Sequence, residues 1–446
     1  MVDGRPEAGA GALTHLTCLI CGRRYRPDEV AYVCPRHGAE GVLDAGYDYA
    51  AVARRLSPAS LAAEREASMW RYGPLLPVRP DSPRPPLRVG WTPLVDAPRL
   101  AAEAGVGRLW VKDESLQPTG SLKDRASAIA VVRAWEQGAP VLTTASTGNA
   151  AAALAGLCAS MGQSCVIFVP EAAPAAKLAQ LLAYGASVLL VEGSYDDAFE
   201  LCLAAGAEFG WYVRSTAYNP YMAEGKKTAA YEICEQLAWR PPDAIFVAVG
   251  DGCILAGLHK GLSDLLTLGW IARRPRLFGV QAAGSNYLAQ AWERGEDVLT
   301  KPPIQARTVA DSISAGLPRD RLKALAAVNE SGGAFVTVSD AEILAAVPAL
   351  AQGCGVFGEP AGAAAYAGLV KAAAMGLVGR NDRVVALNTG SGLKDVAAAL
   401  QAAEAAGHRP RRVRRLADLR PLVGASLAPD SGSEDRGEVV AQEPEA

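Results

Sequence analysis

The run Pro118-Thr119-Gly120-Ser121-Leu122-Lys123-Asp124-Arg125 puts a lysine amine at the end of a small-residue turn, where a helix begins. The β-branched and aromatic stretch from Arg108 to Glu114 reads as a strand, stopped by the breaker pair Gln117-Pro118. Lys123 therefore sits just past a strand end, on the first turn of a helix running to about Gln137. A free lysine, with a pKa near ~10.4, is a poor nucleophile at neutral pH unless burial or condensation with an aldehyde removes its charge. The chemistry on offer is a Schiff base. Taken alone, the residue reads equally as a surface lysine at a loop-to-helix junction, and three other loops bear on the choice.

Thr144-Ala145-Ser146-Thr147-Gly148-Asn149-Ala150 follows the apolar pair Val141-Leu142 and precedes an Ala-rich helix running to about Met161. Amides at such a helix start, with hydroxyls beside them, bind a carboxylate or phosphate without a cationic side chain; the local alternative is a Ser/Thr N-cap. Val249-Gly250-Asp251-Gly252-Cys253-Ile254 follows the buried-looking strand from Ala244, and its two glycines let backbone amides close around a phosphate. Leu387-Asn388-Thr389-Gly390-Ser391-Gly392-Leu393-Lys394-Asp395 is again a strand-to-loop junction. All four loops lie at the carboxyl ends of strands, where open α/β sheets hold ligands.

With these motifs in order, the chain resembles the pyridoxal-phosphate enzymes of the tryptophan-synthase-β class and, within it, the threonine synthases. The resemblance runs from Cys18 to Asp395 and includes Met69–Pro77, Gly90-Trp91-Thr92-Pro93-Leu94, Glu224-Gly225-Lys226-Lys227-Thr228 and Phe357-Gly358-Glu359-Pro360-Ala361-Gly362-Ala363. It implies that Lys123 holds pyridoxal 5'-phosphate and later shuttles protons. Asn149 would bond the pyridine 3'-oxygen, while Ser146, Thr147 and Gly148 would take the substrate's α-carboxylate. The cofactor phosphate would sit on Gly250, Asp251, Gly252, Cys253 and Ile254, with the helix start beyond supplying partial positive charge. Asp251 is tolerable there if its carboxylate turns away. Thr389 would face the pyridine nitrogen, where a neutral hydroxyl makes a milder electron sink than a carboxylate.

The implied reaction converts O-phospho-L-homoserine and water to L-threonine and phosphate, which requires a second anion site. Here the chain departs from the family pattern. Met222 stands where an arginine ahead of the Glu-Gly pair helps hold the substrate phosphate, and a thioether cannot replace a guanidinium fork. Arg214 and Ser215 are the candidates to supply that site from the other end of the segment. Ala150 also stands where a threonine is frequent. The alternatives are a β-eliminating serine or threonine dehydratase, a β-replacement enzyme similar to cysteate synthase, and a non-catalytic binding protein on the same fold. Intact Lys123, Asn149 and Thr389 argue against the last.

Cys18-x2-Cys21-x12-Cys34-x2-His37 is a separate signal. Two ligand pairs, each followed by a glycine (Gly22, Gly38) that permits a tight knuckle, suit a closed tetrahedral site for structural zinc. His15 is a substitute ligand of poorer spacing. The alternative is a hairpin of free thiols.

Of 446 residues half are apolar, so the chain can bury a large core. A net charge of -3 offers no case for nucleic acid, and no apolar run reaches membrane length. A cytoplasmic enzyme acting on a small amino acid is expected, a homodimer by family analogy. Nine cysteines, an odd number, with several set in helical or strand patterns such as Cys158, Cys165, Cys202 and Cys234, read as reduced core thiols. The alternation of strands and helices predicts an α/β fold with two parallel-sheet subdomains of the tryptophan-synthase-β type. Expected units are a zinc-ribbon-like segment over 10–48, a catalytic domain over 49–407 and a basic, then acidic, disordered tail over 408–446. Ala50 to Arg71 reads as one helix.

Overall fold

The computed structural model describes residues 12–146, 148–171 and 175–419. Three sheets organise them. Strands β1 (Leu13–Cys18), β2 (Arg24–Tyr25) and β3 (Leu43–Tyr47) form a small antiparallel sheet in the order β2-β1-β3. Strands β6 (Val141–Ala145), β7 (Ser164–Pro170), β8 (Ser187–Val191) and β9 (Tyr212–Val213) form a parallel sheet ordered β8-β7-β6-β9.

The largest sheet has six strands in the order β12-β11-β10-β13-β5-β4. They are β4 (Leu94–Asp96), β5 (Arg108–Asp113), β10 (Ala244–Ala248), β11 (Arg276–Ala282), β12 (Ala334–Val338) and β13 (Arg383–Asn388). Only β4 runs antiparallel, an edge strand that the alternation pattern did not anticipate. β10, all apolar, is buried at every position, as a central parallel strand covered on both faces must be.

Strand order decides where the chemistry gathers. β5, β13 and β10 are adjacent and parallel, so the loops after them, bearing Lys123, Thr389 and Gly250, leave the same edge side by side. β6 and β9 are likewise parallel neighbours, which brings the Ser146–Asn149 loop beside Arg214.

The helix expected over Ala50 to Arg71 is instead three short pieces, Tyr49–Ala53, Pro58–Ala62 and a 3-10 segment Met69–Leu75. Pro58 is the cause. It lacks an N–H and its ring would clash with a preceding carbonyl inside a helix, so it starts a new one at N1, capped by the Ser57 hydroxyl on Ser60 N. At the other end, the basic stretch after His408 carries a single 3-10 turn, Leu416–Asp418; the acidic tail lies outside the described residues.

Candidate active site

The turn before Lys123 is fastened from both sides. Asp124 accepts hydrogen bonds from Thr119 N at 2.7 Å and Thr119 Oγ1 at 2.5 Å, closing the loop on itself. Leu122 N donates to Thr389 O, and Ser391 N to Gly120 O, stitching the lysine turn to the loop after β13. Arg125 locks the helix from below: it forks onto Glu114 and Glu232, all three side chains without solvent exposure. Lys123 thus emerges from an over-determined turn. Its Nζ has no hydrogen-bond or ion-pair partner among the described residues and opens on a cavity of about 740 Å³. Burial, then the Arg214 guanidinium, push its pKa below the ordinary lysine value, outweighing the opposite pull of Glu359 and Asp251. An amine so placed is readily deprotonated and nucleophilic.

The same cavity is lined by Asn149, Gly250, Asp251, Gly252, Cys253, Ile254 and Thr389, and by Ser146, Gly148, Arg214 and Ser215. Thr147 lies outside the described residues. Among the described residues no side chain caps the start of the helix Asn149–Met161 at Gly148; Ser146 Oγ accepts from Gly148 N. The helix Cys253–Thr267 likewise begins uncapped, at Gly252 in the left-handed region (φ 92°). Side chains at this loop would collide: a Cβ on Gly250 would lie 2.9 Å from Ile313 Cα. Asp251 turns its carboxylate onto Arg319 N at 3.2 Å, which resolves the electrostatic difficulty of an acid in an anion loop.

Arg214 is 1% exposed and, among the described residues, has no carboxylate partner. Nε and Nη1 donate to Ser127 Oγ and Thr216 Oγ1, while Nη2 is buried with no partner, as is Ser215 Oγ. Burial pulls the guanidinium pKa down to about 10. Such a group is costly without an anion. Met222, by contrast, sits in the apolar cluster with Tyr221 and Leu154, away from the cavity lining.

Two further residues belong here, Glu359, which the sequence offers either as a carboxylate near the cofactor or as a helix cap, and Lys226. Glu359 starts the helix Pro360–Ala374 but makes no side-chain cap; it accepts from Asn149 Nδ2 at 2.8 Å, and burial pushes its pKa up to about 7. Gly390 exists for it, since a Cβ there would meet Glu359 Oε1 at 2.6 Å. Lys226 also lines the cavity, 1% exposed, its ammonium unpartnered. Its position inside the Glu-Gly-Lys-Lys-Thr match was visible in the sequence, but nothing there separates a buried cation from a solvated one.

A family profile described as pyridoxal-phosphate dependent enzyme matches residues 86–390. The chain belongs to the pyridoxal-phosphate-dependent enzymes. It is 39% identical over 389 residues to the threonine synthase of Methanocaldococcus jannaschii, covering 87% of this chain and 94% of that one. To the threonine synthase of Methanosarcina acetivorans it is 40% identical over 384 residues, covering 85% and 92%. Among solved structures, the processed form of threonine deaminase isoform 2 from Solanum lycopersicum matches with a TM-score of 0.61 at 24% identity, over 71% of this chain and 83% of that one, a likeness of fold. The cavity fits the family's cofactor: a recessed free amine, a glycine loop at an uncapped helix start, and buried cations without counter-ions meet an aldehyde that carries a phosphate.

At the N-terminus, one ligand atom from each of Cys18, Cys21, Cys34 and His37 lies within 4.8 Å of all the others. His37 Nδ1 is 3.5 Å from Cys34 Sγ and 3.7 Å from Cys18 Sγ. Those lengths match the edge of a zinc tetrahedron, about 3.6 Å for ordinary Zn–S and Zn–N bonds. Gly22 and Gly38 both have positive φ, 68° and 54°, as knuckle glycines require. The Tyr25 hydroxyl lies 3.0 Å from Cys34 Sγ, an outer-shell contact of the kind that orients a thiolate. His15 is not in the group; its Nδ1 lies against Thr14 Oγ1.

Proposed function

We propose that the protein is a threonine synthase, converting O-phospho-L-homoserine and water to L-threonine and phosphate. The observation that carries this reading is Arg214: a buried guanidinium with an unpartnered Nη2, facing the same cavity as Lys123 but outside the glycine loop, supplies the second anion site that a phosphorylated substrate needs. The similarity to threonine synthases over most of the chain supports it.

When bound, pyridoxal phosphate supplies an aldehyde carbon for amines and a ring that delocalises negative charge from the carbons of an attached amino acid. Residues Gly250, Asp251, Gly252, Cys253 and Ile254 would hold its phosphate with their amides, Asn149 and Thr389 its ring. Ser146, Gly148 and the first amides of the helix Asn149–Met161 would take the α-carboxylate, fixing Cα over Lys123. Lys123 Nζ, with its depressed pKa, is the base for Cα and carries that proton within the cleft. Arg214 and Ser215 would grip the departing phosphate. Glu359, its pKa pushed up to about 7 by burial, accepts from Asn149 and keeps the ring oxygen's neighbour oriented. We assign structural zinc to Cys18, Cys21, Cys34 and His37, and a homodimer by family resemblance.

The test is to mix the purified, cofactor-loaded protein with O-phospho-L-homoserine and follow phosphate and L-threonine together, with L-serine, L-threonine and O-phospho-L-serine alongside. Equal phosphate and threonine, abolished by Lys123→Ala, is the expected result. Keto acid from a three-carbon substrate, with none of either product from phosphohomoserine, would move the assignment to β-elimination.

A further inference from the structure

Besides Arg319, which pairs with Asp196, three cations line this cavity, and the functional reading uses two of them. Lys226 is the third. It ends the short helix Met222–Lys226, which is wedged between two longer helices by glycines: a Cβ on Gly225 would lie 2.1 Å from Arg125 O, and one on Gly257 would lie 2.8 Å from Lys226 Cβ. Gly261 continues the seam, 2.5 Å from Lys227 O by the same measure. The close approach leaves the Lys226 side chain alongside the first turn of the helix Cys253–Thr267, whose uncapped amides form the glycine loop's anion cradle. Among the described residues the ammonium makes no hydrogen bond or ion pair.

We propose that Lys226 binds the cofactor's phosphate, as the fixed counter-charge above the amides of Gly250–Ile254, leaving Arg214 for the phosphate of the substrate. The inference rests on the reading of the cavity as a pyridoxal-phosphate site. Its neighbours favour the cofactor over the substrate: Cys253 on the cradle helix, Lys123, Arg214 and Asp320 are the charged or titratable groups that face it. Asp320 is the only acid among them, and its Oδ1 is itself buried and unpartnered, so it does not neutralise the lysine. Burial first, then Lys123 and Arg214, hold the Lys226 pKa down to about 8. A phosphate dianion relieves all of these penalties together. The sequence match offers no such role, because a lysine in a Glu-Gly-Lys-Lys-Thr run reads as well as a solvated charge.

Lys226→Met keeps the length and removes the charge, and Lys226→Arg keeps the charge. Affinities of wild type and both variants are measured for pyridoxal 5'-phosphate and for pyridoxal, which lacks the phosphate, alongside the substrate KM at saturating cofactor. Lys226→Met is expected to bind pyridoxal phosphate roughly ten- to a hundred-fold more weakly, with pyridoxal affinity and KM within about two-fold of wild type. Lys226→Arg should restore most of the loss. Melting temperatures give a signature that mere packing would not: without cofactor Lys226→Met should melt higher than wild type, having lost an unpaired buried charge, and with cofactor lower. Equal weakening toward both pyridoxal compounds, or a raised KM with cofactor affinity intact, would overturn the assignment. Wild-type protein that binds neither compound would instead sink the functional reading on which it rests.

Discussion

At the scale of single residues the site is a set of charges left deliberately unbalanced. Arg214 has hydroxyls for company and no acid, so its replacement should report on the anion it awaits. Arg214→Met is expected to raise KM for phosphohomoserine roughly ten- to a hundred-fold, the usual worth of a charged hydrogen bond to phosphate; steady-state kinetics that leave KM unchanged would remove Arg214 from the substrate. Glu359 makes the opposite kind of prediction. Its carboxyl is buried and its pKa raised to about 7 from an ordinary 4.5. The native state therefore holds a proton that the unfolded chain has already released, and stability falls as pH rises through that window. The total is about 3 kcal/mol, from two and a half pKa units. Glu359→Gln keeps an acceptor for Asn149 and abolishes the titration. In urea unfolding of the cofactor-free protein, the variant should match wild type near pH 5 and exceed it by up to about 3 kcal/mol near pH 8. A constant difference across pH would mean that Glu359 titrates normally.

At the scale of elements, the motif around Lys123 divides its labour among neighbours: the lysine reacts, Asp124 closes the turn, and Arg125 anchors the helix. The anchor is a buried quartet of Arg125, Lys112, Glu114 and Glu232, two cations against two acids. Burial alone would raise the Glu232 pKa, but Arg125 and Lys112 outweigh it and hold it at about 2. Its contribution is thus present above the ordinary glutamate pKa and lost as pH falls from there toward 2. Arg125→Leu strands Glu114 and leaves Glu232 with Lys112 alone, and should destabilise the fold by about 3–5 kcal/mol, read by denaturant unfolding; a loss under about 1 kcal/mol would show that the acids find other partners. The same quartet explains the smaller sequence matches. Thr92 of the Gly-Trp-Thr-Pro-Leu run donates to Glu114 and offers its carbonyl to Lys112, and Thr228 of the Glu-Gly-Lys-Lys-Thr run accepts from Arg125. Loops after strands were legible because glycines, hydroxyls and a lysine recur in order at four strand ends, where each alone would have an ordinary local use. Lys226 was not, since its meaning lies in the partner it lacks, and an absent partner leaves no mark in a sequence. The single helix read over Ala50 to Arg71 failed for a local reason, Pro58, that was in plain view.

At the scale of the whole molecule, the N-terminal sheet is not an appendage. Asp44 pairs with Lys260 and Lys323 at 3.2 Å each, and Glu40 with Arg321, so the β3 side of the sheet is riveted to the two helices that flank the glycine loop. Tyr47 donates to Glu224 at 2.7 Å and lies under the Lys227 ammonium, two residues before and one residue after the cavity-lining Lys226. Tyr32, between the two ligand pairs, accepts from Val213 N at 2.9 Å, the residue before Arg214. The ribbon therefore holds the backbone of both strips that carry unpartnered cations. If Cys18, Cys21, Cys34 and His37 bind zinc, the metal fixes the hairpins that present Tyr32 and Tyr47, and its loss should be felt at Arg214 before it is felt at Lys123. Purified protein is expected to contain stoichiometric zinc by atomic absorption. Cys18→Ser with Cys21→Ser should lose it, melt several degrees lower, and show a several-fold higher KM for phosphohomoserine with cofactor still bound through Lys123. A zinc-free double variant with unchanged KM and melting temperature would mean that the four side chains share a hairpin and no metal, and that the tyrosine contacts alone hold the ribbon to the cavity.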